Sequence, residues 1–217
     1  MNIMVKTKNR QLVPDYDRSY ILASDLLKEI SVVKLATPIN EILYNYDIRY
    51  IPFSILEKYI PLNSPIFKTA GALSNLHDDY FIFYDDTNSI SRIRWTQSHE
   101  LGHFFLNHDF ENRDNYDVYE KEANYFAAQL LMPFELLLML EHYFYLTESL
   151  LAEVANTNKI QARHRINNYK QKKKYIQVKD INEDLMIEYD RLIRRKILRK
   201  EDYKCIMRDK ISYSPLY

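Results

Sequence analysis

Residues 99–103 read His99-Glu100-Leu101-Gly102-His103, an instance of the pattern HExxH. An α-helix turns once in about 3.6 residues. His99 and His103 therefore fall on one face, one turn apart, where both imidazoles can share one metal ion. Glu100 then sits beside the water that such a metal activates. Zn²⁺ is the expected occupant, because it accepts nitrogen and carboxylate ligands in an open tetrahedral site. Mn²⁺ and Fe²⁺ are left open, since geometry and availability choose among these ions. The pattern predicts a metal-dependent hydrolase, most simply a peptidase.

The flanks strengthen this reading. Ile93 and Trp95 precede the pattern and Phe104, Phe105 and Leu106 follow it at helical spacing. They predict a helix over about 90–107 that is largely buried. HExxH also arises in unrelated helices as plain surface or core residues, but two buried His and a buried Glu need a reason. A catalytic zinc takes three protein ligands. His108 lies about 140° around the helix from His103, and the metzincin arrangement of a Gly break and a His six residues on is absent. His108 is read as a helix-end residue, at most an outer support for the site. The stretch Glu120-Lys121-Glu122-Ala123-Asn124 offers better third ligands. Glu120 and Asn124 share a helical face, and Glu122 points about 200° away from Glu120. One of the two Glu is the ligand, and the other is expected in solvent.

The run RIRWTQSHELGHFFLNH (92–108), followed by EKEANYFAAQLLMP (120–133) and preceded by YFIFYDD (80–86), resembles the ImmA/IrrE family of metallopeptidases. The resemblance covers roughly residues 40–165. It implies a cytoplasmic zinc-dependent endopeptidase that cleaves helix-turn-helix transcriptional repressors of mobile elements or stress responses. It also implies Glu120 as the third ligand beside His99 and His103, with Glu122 as the alternative. Many members carry an N-terminal DNA-binding domain. None is visible in residues 1–70, so the stand-alone form is expected.

In the implied mechanism Glu100 takes a proton from water and passes it to the leaving amine. Asn124 is expected to orient a ligand, against the plain reading of a surface Asn. Tyr119, Tyr125 and His108 are the candidates for stabilising an oxyanion. The strand at 80–84 is expected to form a sheet edge on which a substrate adds as a further strand. Gly102 costs a helix interior about 1 kcal/mol relative to Ala, which points to close approach of another backbone or of substrate. His77, His142 and His164 are read as structural or surface residues.

Bulk properties set the frame. A chain of 217 residues has room for one domain with an appendage. Only 2 Gly occur, which argues against a Gly-rich nucleotide-binding fold. The single cysteine, Cys205, excludes an internal disulfide and a Cys-based zinc cage, and fits a reducing compartment. No signal peptide or transmembrane span is expected. Net charge is zero but uneven: 13 Lys/Arg against 22 Asp/Glu in residues 1–158, then 17 against 8 in residues 159–217. A solvated helical surface offsetting an acidic body is preferred over a nucleic-acid-binding tail.

The expected fold is α+β and zincin-like, with a small mixed or antiparallel sheet packed on the HExxH helix and a mostly helical C-terminal part. Helices are predicted over 16–33, 38–46, 117–132 and 182–200, with a helix–turn–helix-like pair at 148–169. A strand ends at Pro52, and residues 56–70 read as irregular. The expected division is a metallopeptidase domain at 1–147 and a basic helical extension at 148–217, which can pack on the same domain. Two other functions are weighed: a zincin fold that sequesters a regulator without cutting it, and a DNA-binding regulator acting through the basic C-terminal region. The oligomeric state is not legible.

Overall fold

The computed structural model describes residues 13–31, 34–77, 79–109, 115–173 and 182–197. Cys205 and the basic run beyond Lys173 up to residue 181 lie outside them. The described chain is α+β, with nine helices, α1 (Tyr16–Glu29), α2 (Ile39–Asn45), α3 (Phe53–Leu56), α4 (Ile90–Phe105), α5 (Tyr116–Leu131), α6 (Phe134–Tyr143), α7 (Glu148–Ala155), α8 (Lys159–Lys172) and α9 (Glu183–Lys196). Three strands, β1 (Arg49–Pro52), β2 (Gly71–Leu76) and β3 (Asp79–Tyr84), form one mixed sheet. A short 3₁₀ turn at Pro65–Lys68 gives partial order to the stretch that reads as irregular.

Sequence signals account for most boundaries. Asp15 caps α1, its carboxylate accepting from the Arg18 N–H at 2.9 Å, and Ser89 caps α4. Pro38, Pro52 and Pro133 each precede a helix, where the missing N–H costs nothing. Asn156 ends α7 in the left-handed conformation, at φ 51°. Asn158 and Gln161 then open α8 with a reciprocal capping box. The first helix stops at Glu29, short of residue 33, and α9 ends at Lys196.

The strand order is β1-β3-β2, with β1 parallel and β2 antiparallel to β3. This corrects the expectation that residues 80–84 form an edge. β3 is the central strand, with Ile82 fully buried, and its aromatic, β-prone run is what a strand flanked on both sides requires. The edge beside the HExxH helix is β2. The Leu73 N–H turns away from the sheet and donates to Glu100 Oε2 at 2.9 Å.

One hydrophobic core joins Leu26 and Leu27 of α1, Ile42 and Leu43 of α2, Ile82, Leu101, Phe126 and Leu130. It continues without a break into Leu151, Ile166, Tyr169, Leu185, Tyr189 and Ile193 of the C-terminal helices. Tyr169 and Tyr189 are among the largest fully buried side chains. Among the described residues no single helix is long and apolar enough to cross a membrane. α5 and α6 pass together on length and composition, but are bent by 41° at their junction and bury their apolar faces in this core.

Candidate active site

The site forms where α4 crosses α5. Close contact is possible because the facing residue on α4 is Gly102. A Cβ there would stand 2.9 Å from Ala123 Cα and 3.1 Å from its carbonyl oxygen. Here the close approach expected of Gly102 comes from a neighbouring backbone. Gly71, the other glycine, plays the same part for the sheet. A Cβ on it would meet Thr96 Cγ2 at 2.3 Å and the Phe83 carbonyl oxygen at 2.7 Å. Neither glycine has positive φ. Both are needed for closeness, which sets β2, α4 and α5 around one pocket of about 280 Å³.

His99 and His103 leave α4 one turn apart with their Nε2 atoms 3.0 Å from each other. Glu120 comes down from α5 onto both. Its Oε2 is 3.4 Å from His99 Nε2 and its Oε1 is 3.3 Å from His103 Nε2. These three residues could hold a metal ion. The spacing fits: ligand atoms bonded to zinc at about 2.0–2.1 Å in a tetrahedron stand about 3.3 Å apart. Glu120 was favoured over Glu122 by the family resemblance, and it is Glu120 that meets the two His. The adjoining His103 and His99 imidazoles hold the Glu120 carboxyl well below the usual carboxylate range. Burial alone would lower the His99 pKa, but the adjoining Glu120 and Glu100 carboxylates outweigh it and raise it.

The outer nitrogens are also satisfied, which fixes which lone pairs face the pocket. His99 Nδ1 lies 3.2 Å from Asn124 Oδ1, so Nδ1–H donates and Nε2 is left as the acceptor in the site. His103 Nδ1 lies 2.8 Å from His108 Nδ1, and His108 Nε2 lies 2.9 Å from Glu122 Oε2. One consistent set of protons runs along this chain: His103 donates to His108, and His108 donates to Glu122. Glu122 Oε1 also accepts the Asp15 N–H at 2.6 Å, tying the relay to the start of α1. Burial, and then the adjoining His103, draw the His108 pKa down, which favours the neutral ring that can accept.

Glu122 therefore overturns one expectation. The Glu that is not facing the two His was expected in solvent, yet Glu122 is 7% exposed. Its face of α5 looks at α1 and His108, a neighbourhood that helical periodicity cannot supply. His108 gains the supporting place read for it, and Asn124 the orienting one. Tyr119 stacks on His108 at 4.4 Å between ring centroids, and Tyr125 lines a neighbouring groove. The metal pocket is lined instead by Tyr116 and Arg92; Tyr116 lies outside the two paired runs, and Arg92 opens the first of them two turns before His99, where no spacing rule marks it. His77, His142 and His164 are exposed and stand apart from the cluster.

Glu100 lies on the same helix, 7% exposed, with Oε2 taken up by the Leu73 N–H. Burial pushes its carboxyl up, against the pull of His99 and His103. A carboxyl poised in this way beside a metal-ligand triad is equipped to accept and return a proton.

Residues 62–167 match the family model of the IrrE N-terminal-like domain, a peptidase family. No curated protein matches the chain. Residues 62–167 therefore form a domain of the ImmA/IrrE metallopeptidase family.

Proposed function

We propose that this member of the ImmA/IrrE family is a zinc-dependent endopeptidase acting on a polypeptide inside the cell. The observation that carries the reading is the convergence of Glu120 with the two His of HELGH, at 3.3 and 3.4 Å, beside the buried Glu100. His99, His103 and Glu120 would hold the ion. When bound, such an ion polarises the scissile carbonyl and acidifies water.

The remaining steps belong to the chain. Glu100 takes a proton from the attacking water and delivers it to the amine as the C–N bond breaks. Its raised carboxyl pKa suits both halves of that transfer. Asn124 and His108 hold the ligand imidazoles in the tautomer that leaves Nε2 free. Tyr116 and Arg92 supply donors in the pocket for the oxygen that gains charge. β2, the sheet edge at the pocket, aligns an extended substrate as an added strand.

For the substrate, the family resemblance favours a helix-turn-helix transcriptional repressor. The test is co-expression of the repressor encoded nearest to this gene with the wild-type protein or with Glu100→Gln, its length then read by mass spectrometry. Shortening with the wild type alone is the expected result. A repressor cut equally by Glu100→Gln would refute the role of Glu100. A repressor that binds both forms and is cut by neither would make the protein a sequestering module.

A further inference from the structure

Beside the metal pocket runs a second groove, of about 560 Å³, between α1, α4, α5 and α8. The two share Arg92, Trp95 and Asn124 as a common wall, and Asn124 is the residue that orients His99. A polypeptide crossing the metal pocket thus has a direct continuation into this groove.

The groove is cationic. Arg92, Lys121, Arg165 and Lys172 line it, and among the described residues no Asp or Glu does. Among the described residues none of the four makes an ion pair. Lys172 is held in place by aromatic neighbours. Its ammonium lies 4.1 Å from the Tyr125 ring centroid and donates to the Tyr125 hydroxyl at 2.7 Å.

Arg165 is the unusual member. It is 3% exposed, at a depth where a guanidinium normally has a carboxylate partner. It donates through Nε to the Met132 carbonyl at 2.7 Å and through Nη2 to Gln129, while Nη1 is buried without a hydrogen-bond partner among the described residues. Burial pulls its pKa down only to about 10, so the charge persists at neutral pH. On the same wall, Asn168 Oδ1 is a buried acceptor without a hydrogen-bond partner among the described residues. Among the described residues the groove thus pairs positive charge that no lining carboxylate offsets, the buried Glu135 acting on Arg165 only through space, with an unmet acceptor. A polypeptide matches both, through acidic side chains and backbone N–H groups; a phosphodiester brings acceptors alone.

We propose that this groove is a specificity subsite that seats Asp or Glu side chains of the polypeptide whose scissile bond lies in the metal pocket. The proposal rests on the peptidase reading for its geometry, but its test does not require hydrolysis. The probe is a pair of short labelled peptides identical except for Glu or Gln at central positions. Their binding to zinc-loaded Glu100→Gln protein is followed by fluorescence anisotropy. Arg165 also supports the core, so the exposed Lys121 and the half-buried Lys172 carry the test, as Lys121→Gln combined with Lys172→Gln.

The Glu peptide is expected to bind at least about tenfold more tightly than the Gln peptide, equivalent to about 1.4 kcal/mol. The double substitution should bring that ratio near unity. Equal affinities, or a preference that survives the substitution, would overturn the proposal. So would displacement of the Glu peptide by inorganic phosphate or a single-stranded oligonucleotide more readily than by unlabelled Glu peptide, which would assign the groove to phosphates. If wild-type protein cuts neither peptide while the binding preference stands, the peptidase reading fails and the anionic subsite does not.

Discussion

Replacing Gly102 with Ala tests whether the α4–α5 contact sets the metal site. On helix propensity alone the change should stabilise, since Ala is favoured over Gly by about 0.8–1.0 kcal/mol in a helix interior. Packing opposes it. The new Cβ would stand 2.9 Å from Ala123 Cα and 3.1 Å from the Ala123 carbonyl oxygen. Carbon atoms rest at about 3.5–4.0 Å, and backbone atoms cannot rotate aside. α5 must therefore retreat by roughly 0.6–1 Å at the contact. Glu120 sits one turn away on the same helix and moves with it. Ligand distances tolerate about 0.2 Å, so the shift exceeds the tolerance several-fold. Overpacking of this kind costs about 1–3 kcal/mol, leaving a net loss of about 0–2 kcal/mol in the metal-free protein once propensity is credited. The loss in metal affinity should be larger, at least about tenfold. Competition with a chromophoric chelator gives the affinity, and thermal unfolding with and without zinc gives the stability. A Gly102→Ala protein that binds zinc as the wild type does and melts higher would refute the claim that this contact positions Glu120.

Gly71→Ala should act on the other wall. Displacing β2 from Thr96 and Phe83 unseats the Leu73 N–H from Glu100, so hydrolysis should fall far more than zinc affinity; matched losses in both would deny β2 that role. His108→Ala removes the acceptor of His103 Nδ1 and should weaken zinc binding about 10–100-fold, whereas Glu120→Ala should weaken it further. A His108→Ala protein with unchanged affinity would show that the relay does not support the ligand. Zinc at about 100 times its dissociation constant should stabilise the fold by about 2.7 kcal/mol. Chelation should abolish that increment in wild type and leave Glu120→Ala unmoved, as read by denaturant midpoints.

Much of the site could be read from local spacing, because helical geometry is a property of consecutive residues. His99, Glu100 and His103 acquire their relation within a single turn of α4, whatever surrounds it. The same periodicity puts Glu120 and Asn124 on one face of α5, and both meet His99 there. The aromatic run at 80–84 announces a strand, and Gly102 announces a close contact, for equally local reasons.

What lay beyond the sequence are relations between elements distant in the chain. The order β1-β3-β2 makes residues 80–84 central and hands the edge to β2, a choice made by strand pairing rather than by the strand's own composition. Glu122 is buried because α1 brings the Asp15 N–H to it and α4 ends at His108, partners 107 and 14 residues away. Arg165 reads as one cation in a basic helix, yet α8 packs it against Met132, Gln129 and the Phe134 ring. A side chain's period around its own helix follows from backbone geometry alone. Whether its face meets a ligand, a core or water is decided by which other surfaces bury apolar area against that helix, and only the folded chain makes that choice.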